Sequence, residues 1–233
     1  LAPYGFAHLL AVGGFAAAMA ALAAAVFLVG LGAALLVARS GAVFAAIGAE
    51  PATPGGSGPG FVAIWLAYGS GVFAGLMAIG HAAGIAVAAG LSGWKAIAVI
   101  AICNLVGSLL AGVLSDRDPQ RRMLILLPLL GAAALLLLVF VPGLTLLGLG
   151  LVGFAYGGTI AAYPVAIATF FPGESGPRVY GRVFTAWGLA GLAAPWLAGR
   201  LFDASGSYGV ALCSAALLGL CSAVTARRFL RRV

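Results

Sequence analysis

Charge is what this chain has least of. Its 233 residues carry twelve basic and five acidic side chains, 7% of the total, against 64% hydrophobic residues. That balance excludes a water-soluble domain, which has to cover its surface with polar groups. A single lysine, Lys95, and no G-x-x-x-x-G-K-[ST] run exclude a phosphate-cradling nucleotide loop within these residues. Cysteine is scarce as well: Cys103, Cys213 and Cys221 have neither C-x-x-C pairing nor metal-ligand spacing, so no metal site and no disulfide scaffold is indicated. "GLGLVG" at 148–153 matches G-x-G-x-x-G, and Glu174 follows at a suitable distance. The run lies inside an apolar stretch with no strand before it, so it is not a dinucleotide site. The sparse basic residues form no continuous patch, which excludes nucleic acid as a partner. Nothing in the chain implies an enzyme or a cofactor.

What the chain does have is apolar length. Mean hydropathy is +1.18, and runs of about twenty apolar residues, the number that crosses a bilayer as a helix, recur at 61–84, 93–114, 122–141, 144–170, 181–202 and 209–228. An earlier tract, 1–38, is too long for one span, and "VGG" at 12–14 offers a break. A signal peptide has one such run, so these describe a multi-pass, all-α membrane protein. The Gly-, Pro- and Ser-rich stretch 40–60 cannot propagate a helix and reads as a linker. The expected organisation is therefore 1–38 as the end of one helical unit, 39–60 as linker, and 61–233 as a six-helix bundle. A chain that begins at Leu1 with a shortened span is expected to lack preceding helices, which become partners of the bundle alongside membrane lipid.

Basic residues resist translocation. With the loop around Asp116 on the cytoplasmic side of the plasma (inner) membrane, alternating spans put loops 39–60, 115–121 and 171–180 and the C-terminus there too. Ten basic residues then fall inside and only Lys95 and Arg200 outside, Arg200 close enough to Asp203 for an ion pair.

The charged loop between two of these spans has a recognisable form. Gly112, Asp116, Arg117, Arg121 and Arg122 follow G-x-L-x-D-R-x-x-x-R-R, which resembles the cytoplasmic loop motif of the major facilitator superfamily, here in its position after helix 8. The resemblance implies a latch that holds the cytoplasmic side closed, Gly112 letting helix ends approach and Asp116 meeting a helix N-terminus or an arginine. Pro119 stands where the family copy has Gly. The plainer reading is a positive-inside loop. The stretch 153–208, with "AYGG", Pro164, "FFPG", "YGRVFTAWGLAGLAAP" and "DASGSY", is similar to helices 10 and 11 of the oxalate/formate antiporters within that superfamily, and 90–116 to their helix 8. This implies the C-terminal half of a carrier, plus about one and a half preceding helices, moving a small organic anion by exchange or with protons. No Lys or Arg lies within 97–111 or 184–199, where the resemblance implies basic residues for oxalate. A monocarboxylate fits better.

Small residues four apart (Gly71 and Gly75, Gly80 and Gly84, Ser108 and Gly112, Gly153 and Gly157) mark close helix contacts. Gly157, Gly158 and Pro164 in one span, and Gly188, Gly191 and Pro195 in another, free backbone groups that point those spans toward protein. Candidate solute-facing residues are His81, Asn104, Tyr68, Tyr156, Tyr163 and Trp187. Each has a structural alternative: a histidine bonded to a neighbouring carbonyl, or aromatic rings as interface anchors. The competing function is a non-transporting half that only packs with partners, or a carrier of an uncharged solute. If the charged loop is a latch, Asp116→Asn slows solute exchange in vesicles while the protein still folds and inserts; equal rates leave it a purely topological signal.

Overall fold

The computed structural model describes residues 2–41, 59–115, 122–171 and 175–231. Every regular element among them is helical: α1 (Ala2–Arg39), α2 (Pro59–Ile79), α3 (Ala82–Ala88), α4 (Gly93–Ser115), α5 (Met123–Phe140), a 3-10 turn (Pro142–Leu144), α6 (Thr145–Phe170), α7 (Ser175–Ser205) and α8 (Gly209–Leu230). Helices are what a bilayer demands, because hydrocarbon offers backbone N–H and C=O groups no other partner. Residues 1–51 form one compact unit and 52–233 another. In the first, α1 is interrupted at Gly14 (φ 70°, ψ −177°), a conformation open to a residue without Cβ.

Six described stretches are long and apolar enough to span a membrane: His8–Arg39, Gly60–Ile79, Gly93–Ser115, Met123–Phe140, Pro142–Phe170 and Gly209–Leu230. The expected span 181–202 is not among them. Its helix, α7, has 31 residues, about 46 Å at 1.5 Å per residue, but Trp187, Gly188, Gly191, Pro195 and Trp196 dilute its apolarity. The expected span 61–84 is also corrected: α2 ends at Ile79, and Gly80 and His81 turn the chain into α3.

The second unit is assembled on backbone contacts made where side chains are missing. Along the parallel pair α4 and α6, Gly107 lies against the Phe154 carbonyl, Gly153 against that of Ile100, and Gly157 against that of Asn104. Ser108 Oγ donates to the Gly157 carbonyl at 3.1 Å. Apolar burial gains little between helices in lipid, so close packing and hydrogen bonds between helices carry the association. Antiparallel α2 and α8 repeat the arrangement: Gly71 makes room for Ser222, whose Oγ donates to the Ala67 carbonyl at 2.6 Å. Gly75 receives the Tyr156 ring, Gly80 packs on Pro195, and Gly84 receives the Tyr208 hydroxyl.

At three glycines no described residue of the unit comes close. Among the described residues, a Cβ at Gly112 would meet nothing within 4 Å; next to it, Ala111 and Leu114 line an apolar groove of about 530 Å³ with Leu110, Leu126, Leu130 and Phe154. Gly188 and Gly191 likewise face open space, beside Leu189 and Leu192 at 58% and 79% exposure. α7 buries a single stripe (Val179, Val183, Ala186, Ala190, Ala194, Ala198), which packs on α2 and leaves the opposite face uncovered by the rest of its unit. α6, by contrast, is enclosed as expected, with Gly148, Gly153, Gly157, Tyr163 and Ile167 all buried.

Gly157→Val therefore drives a branched side chain into the α4 backbone and lowers stability by about 1–3 kcal/mol or more, read as a depressed melting temperature in detergent. Gly143→Ala, at a site with nothing within 4 Å, leaves it unchanged. Equal melting of the two variants contradicts the backbone-contact account.

Candidate functional site

The antiparallel register of α2 and α6 decides which polar side chains meet. Tyr156 and Tyr163 are seven residues apart, two helical turns, and so share a face of α6. Across from them, two turns apart on α2, are Gly75 and Tyr68. Tyr156 fills the space over Gly75. Tyr163 packs on Tyr68, with ring centroids 4.6 Å apart and planes inclined at 45°. α7 closes the cluster: Trp187 Nε1 donates to the Tyr156 hydroxyl at 2.8 Å. The Trp187 ring stacks on Phe184 at 5.1 Å and 10°, and Phe184 meets Tyr180 at 5.6 Å. Alongside, Trp65 of α2 donates to Thr185 Oγ1 at 3.0 Å, and Thr185 donates to the Arg182 carbonyl.

Tyr68, Tyr156, Tyr163 and Trp187 are thus brought together. Tyr68 and Tyr163 are closed off, at 0% and 1% exposure. The Tyr68 hydroxyl has no hydrogen-bond partner among the described residues. Ser222, whose own proton goes to the Ala67 carbonyl, lies beside the Tyr163 hydroxyl with lone pairs left to accept from it. No Lys, Arg, His, Asp or Glu occurs in α2 or α6, so donors are plentiful here and formal charge is absent from both helices.

His81 and Asn104 stand apart. His81, expected well inside a span, sits in the turn between α2 and α3. Its Nε2 lies 2.9 Å from the Pro195 carbonyl of α7; because a carbonyl only accepts, that nitrogen carries the proton. The imidazole leans on Tyr208 at 5.5 Å, which in turn packs on Phe202 at 4.4 Å. The group clasps the ends of α2, α7 and α8. Asn104 is half-buried in the middle of α4, where its backbone carbonyl lies against Gly157. Of the loop motif, Asp116, Arg117 and Arg121 lie outside the described residues; Arg122 is exposed where the chain enters α5. The expected Arg200–Asp203 ion pair is not formed. Arg200 lies over the Trp196 ring at 5.7 Å, as a long helical side chain leaning toward the preceding turn does.

Phe184, Tyr180, Thr185 and Trp65 complete the cluster without having been singled out from sequence. Tyr180, Phe184 and Trp187 fall at four- and three-residue spacing, a helical stripe that was available as a signal. The Trp65–Thr185 bond, across 120 positions, had none.

A bundle of long apolar helices, interrupted by Pro128, Pro164 and Pro195, belongs to the class of multi-pass helical membrane proteins. Residues 60–233 match the Major Facilitator Superfamily, and the chain belongs to that family. Over 105 residues it is 30% identical to the uncharacterized MFS-type transporter YhjX of Escherichia coli (strain K12), a match covering 44% of this chain and 26% of that protein. The chain therefore matches about a quarter of that relative's length.

The His81 clasp predicts a split between two variants. His81→Gln keeps a donor and keeps the melting temperature, whereas His81→Leu leaves the Pro195 carbonyl one bond short and loses about 1–3 kcal/mol. If His81→Gln instead removed the pH dependence of transport, the residue would be a titrating group of the pathway.

Proposed function

We propose that the protein is a secondary active transporter that carries a small organic anion, a monocarboxylate, by alternating access, and that α2, α6 and α7 border its route. The observation that carries this reading is the cluster of Tyr68, Tyr156, Tyr163 and Trp187, in which α2 and α6 carry no charged side chain and α7 supplies Trp187, in a bundle of a transporter family. Phenolic and indole groups suit such a route: they donate hydrogen bonds to oxygens and offer flat apolar faces to a short carbon skeleton. A dicarboxylate would bring a second negative charge into low dielectric with no cation on α2 or α6 to meet it, which favours the single carboxylate.

The likeness of 153–208 to oxalate/formate antiporters supports the same class of solute. In this reading Gly112, Asp116, Arg117, Arg121 and Arg122 belong to the latch at the cytoplasmic end of α4 and α5. The exposed face of α7, with Gly188, Gly191 and Leu192, is available to helices outside residues 52–233, as a two-half carrier requires.

Uptake of labelled lactate, formate and oxalate into proteoliposomes holding the intact gene product, with and without a pH gradient, tests the proposal. Saturable lactate or formate flux is expected, with oxalate carried poorly. No anion-dependent flux from the intact protein removes the carrier reading.

A further inference from the structure

Helices α4 and α5 follow one another in the chain, yet each packs along α6 and barely touches the other. Between them lies the apolar groove of about 530 Å³, with Leu110 and Leu114 on one wall, Leu126 and Leu130 on the other, and Phe154 of α6 contributing from behind. No charged, hydroxyl or amide side chain lines it, so its walls give water nothing to bond and hydrocarbon is what fills it. The groove is confined to one half of the helices. Its lining runs from Gly107 to Leu114 on α4 and from Met123 to Ala133 on α5. The α5 stretch is about 15 Å of helix at 1.5 Å per residue, half of a hydrocarbon core about 30 Å thick. A spanning helix needs both halves; the tail of a single lipid needs one.

The groove opens at the basic end of the unit. Gly60 lies against Phe229, Gly69 against Ala186, and Gly219 against Pro128 and Ala132, a register that gathers the starts of α2, α5 and α7 and the ends of α4, α6 and α8 at one level. Among the described residues, Arg122, Arg178, Arg182, Arg227, Arg228 and Arg231 lie at that level with no acidic side chain, while Lys95, Arg200 and Asp203 lie at the other. In sequence, the adjoining loop adds Arg117 and Arg121 against Asp116 and Asp118. Arg122 is exposed and directly precedes Met123, the first residue of α5 to line the groove.

We infer that the α4–α5 groove holds one acyl chain of an anionic phospholipid, whose phosphate meets the Arg122 guanidinium at the groove's open end. Basic side chains gathered at one membrane face favour anionic over zwitterionic lipid, and the five donors of a guanidinium serve a phosphate alongside a protein partner. The chain lies where α4 and α5 fail to pack on each other, so the lipid joins two helices that the protein leaves apart.

The test uses the intact protein in phosphatidylcholine vesicles doped with phosphatidylglycerol that carries a photoactivatable diazirine in one acyl chain, the crosslinked residues being mapped by mass spectrometry. Leu217 of α8, 64% exposed and outside the groove, reports lipid that merely surrounds the protein. Added unlabelled phosphatidylcholine is expected to dilute the Leu217 signal in proportion while labelling of Leu110, Leu114 and Leu126 persists; added unlabelled phosphatidylglycerol is expected to remove both. Arg122→Gln is expected to cut the groove's preference for the anionic lipid about tenfold, the worth of one charge-assisted hydrogen bond, and Arg122→Lys to keep most of it. Groove and Leu217 signals that dilute in parallel show surrounding lipid only, and an unlabelled groove shows that a protein segment covers it. Wild-type preference in Arg122→Gln removes the headgroup contact. Each of these results overturns the inference, and none depends on whether a solute is carried.

Discussion

Inside a bilayer, a polar group that the protein does not satisfy stays unsatisfied, and the structure follows from that constraint. It dictates helices throughout, since only an i to i−4 ladder satisfies a lone spanning segment. It also explains why the few hydroxyls find carbonyls, most of them one turn back in their own helix, and why three polar side chains reach a carbonyl of another element. Ser222 reaches Ala67, Ser108 reaches Gly157, and His81 reaches Pro195. Each of these bonds joins a different pair of elements, and each depends on a small residue nearby that lets the backbones approach. Glycine and hydrogen bonding are two halves of one device here.

Against that background, the cluster on α2, α6 and α7 differs in kind. Trp187 and Tyr156 satisfy one another, but Tyr68 and Tyr163 do not, although burial is complete for both. In the proposed carrier, the absence of charge on α2 and α6 favours hydrogen-bond acceptors with at most one negative charge.

Much of this was legible in the residues. Apolar run length located α4, α5, α6 and α8 to within a residue or two, because in lipid length and hydropathy decide a helix almost alone. Paired glycines correctly marked the seams at Gly71, Gly75, Gly153 and Gly157. The misreadings share a cause. Spacing says that a glycine is present, but the partner helix decides whether anything approaches it, and at Gly112, Gly188 and Gly191 no described residue of the unit does. His81 looked intramembrane because the apolar run continues past it; the turn at Gly80 and His81 depends on packing against Pro195, which no local pattern reveals. The tyrosines were visible as candidates one by one, whereas their pairing required the antiparallel register of α2 and α6.

The central claim is that the cluster on α2, α6 and α7 borders the solute's route, and nuclear magnetic resonance of the intact protein in lipid reads it directly, with tyrosine isotopically labelled at the ring carbon that bears the oxygen. The resonance of Tyr156, assigned through the Tyr156→Phe spectrum, should move when lactate saturates the protein, while that of Tyr208 stays in place. A Tyr156 signal unmoved by lactate would contradict the account.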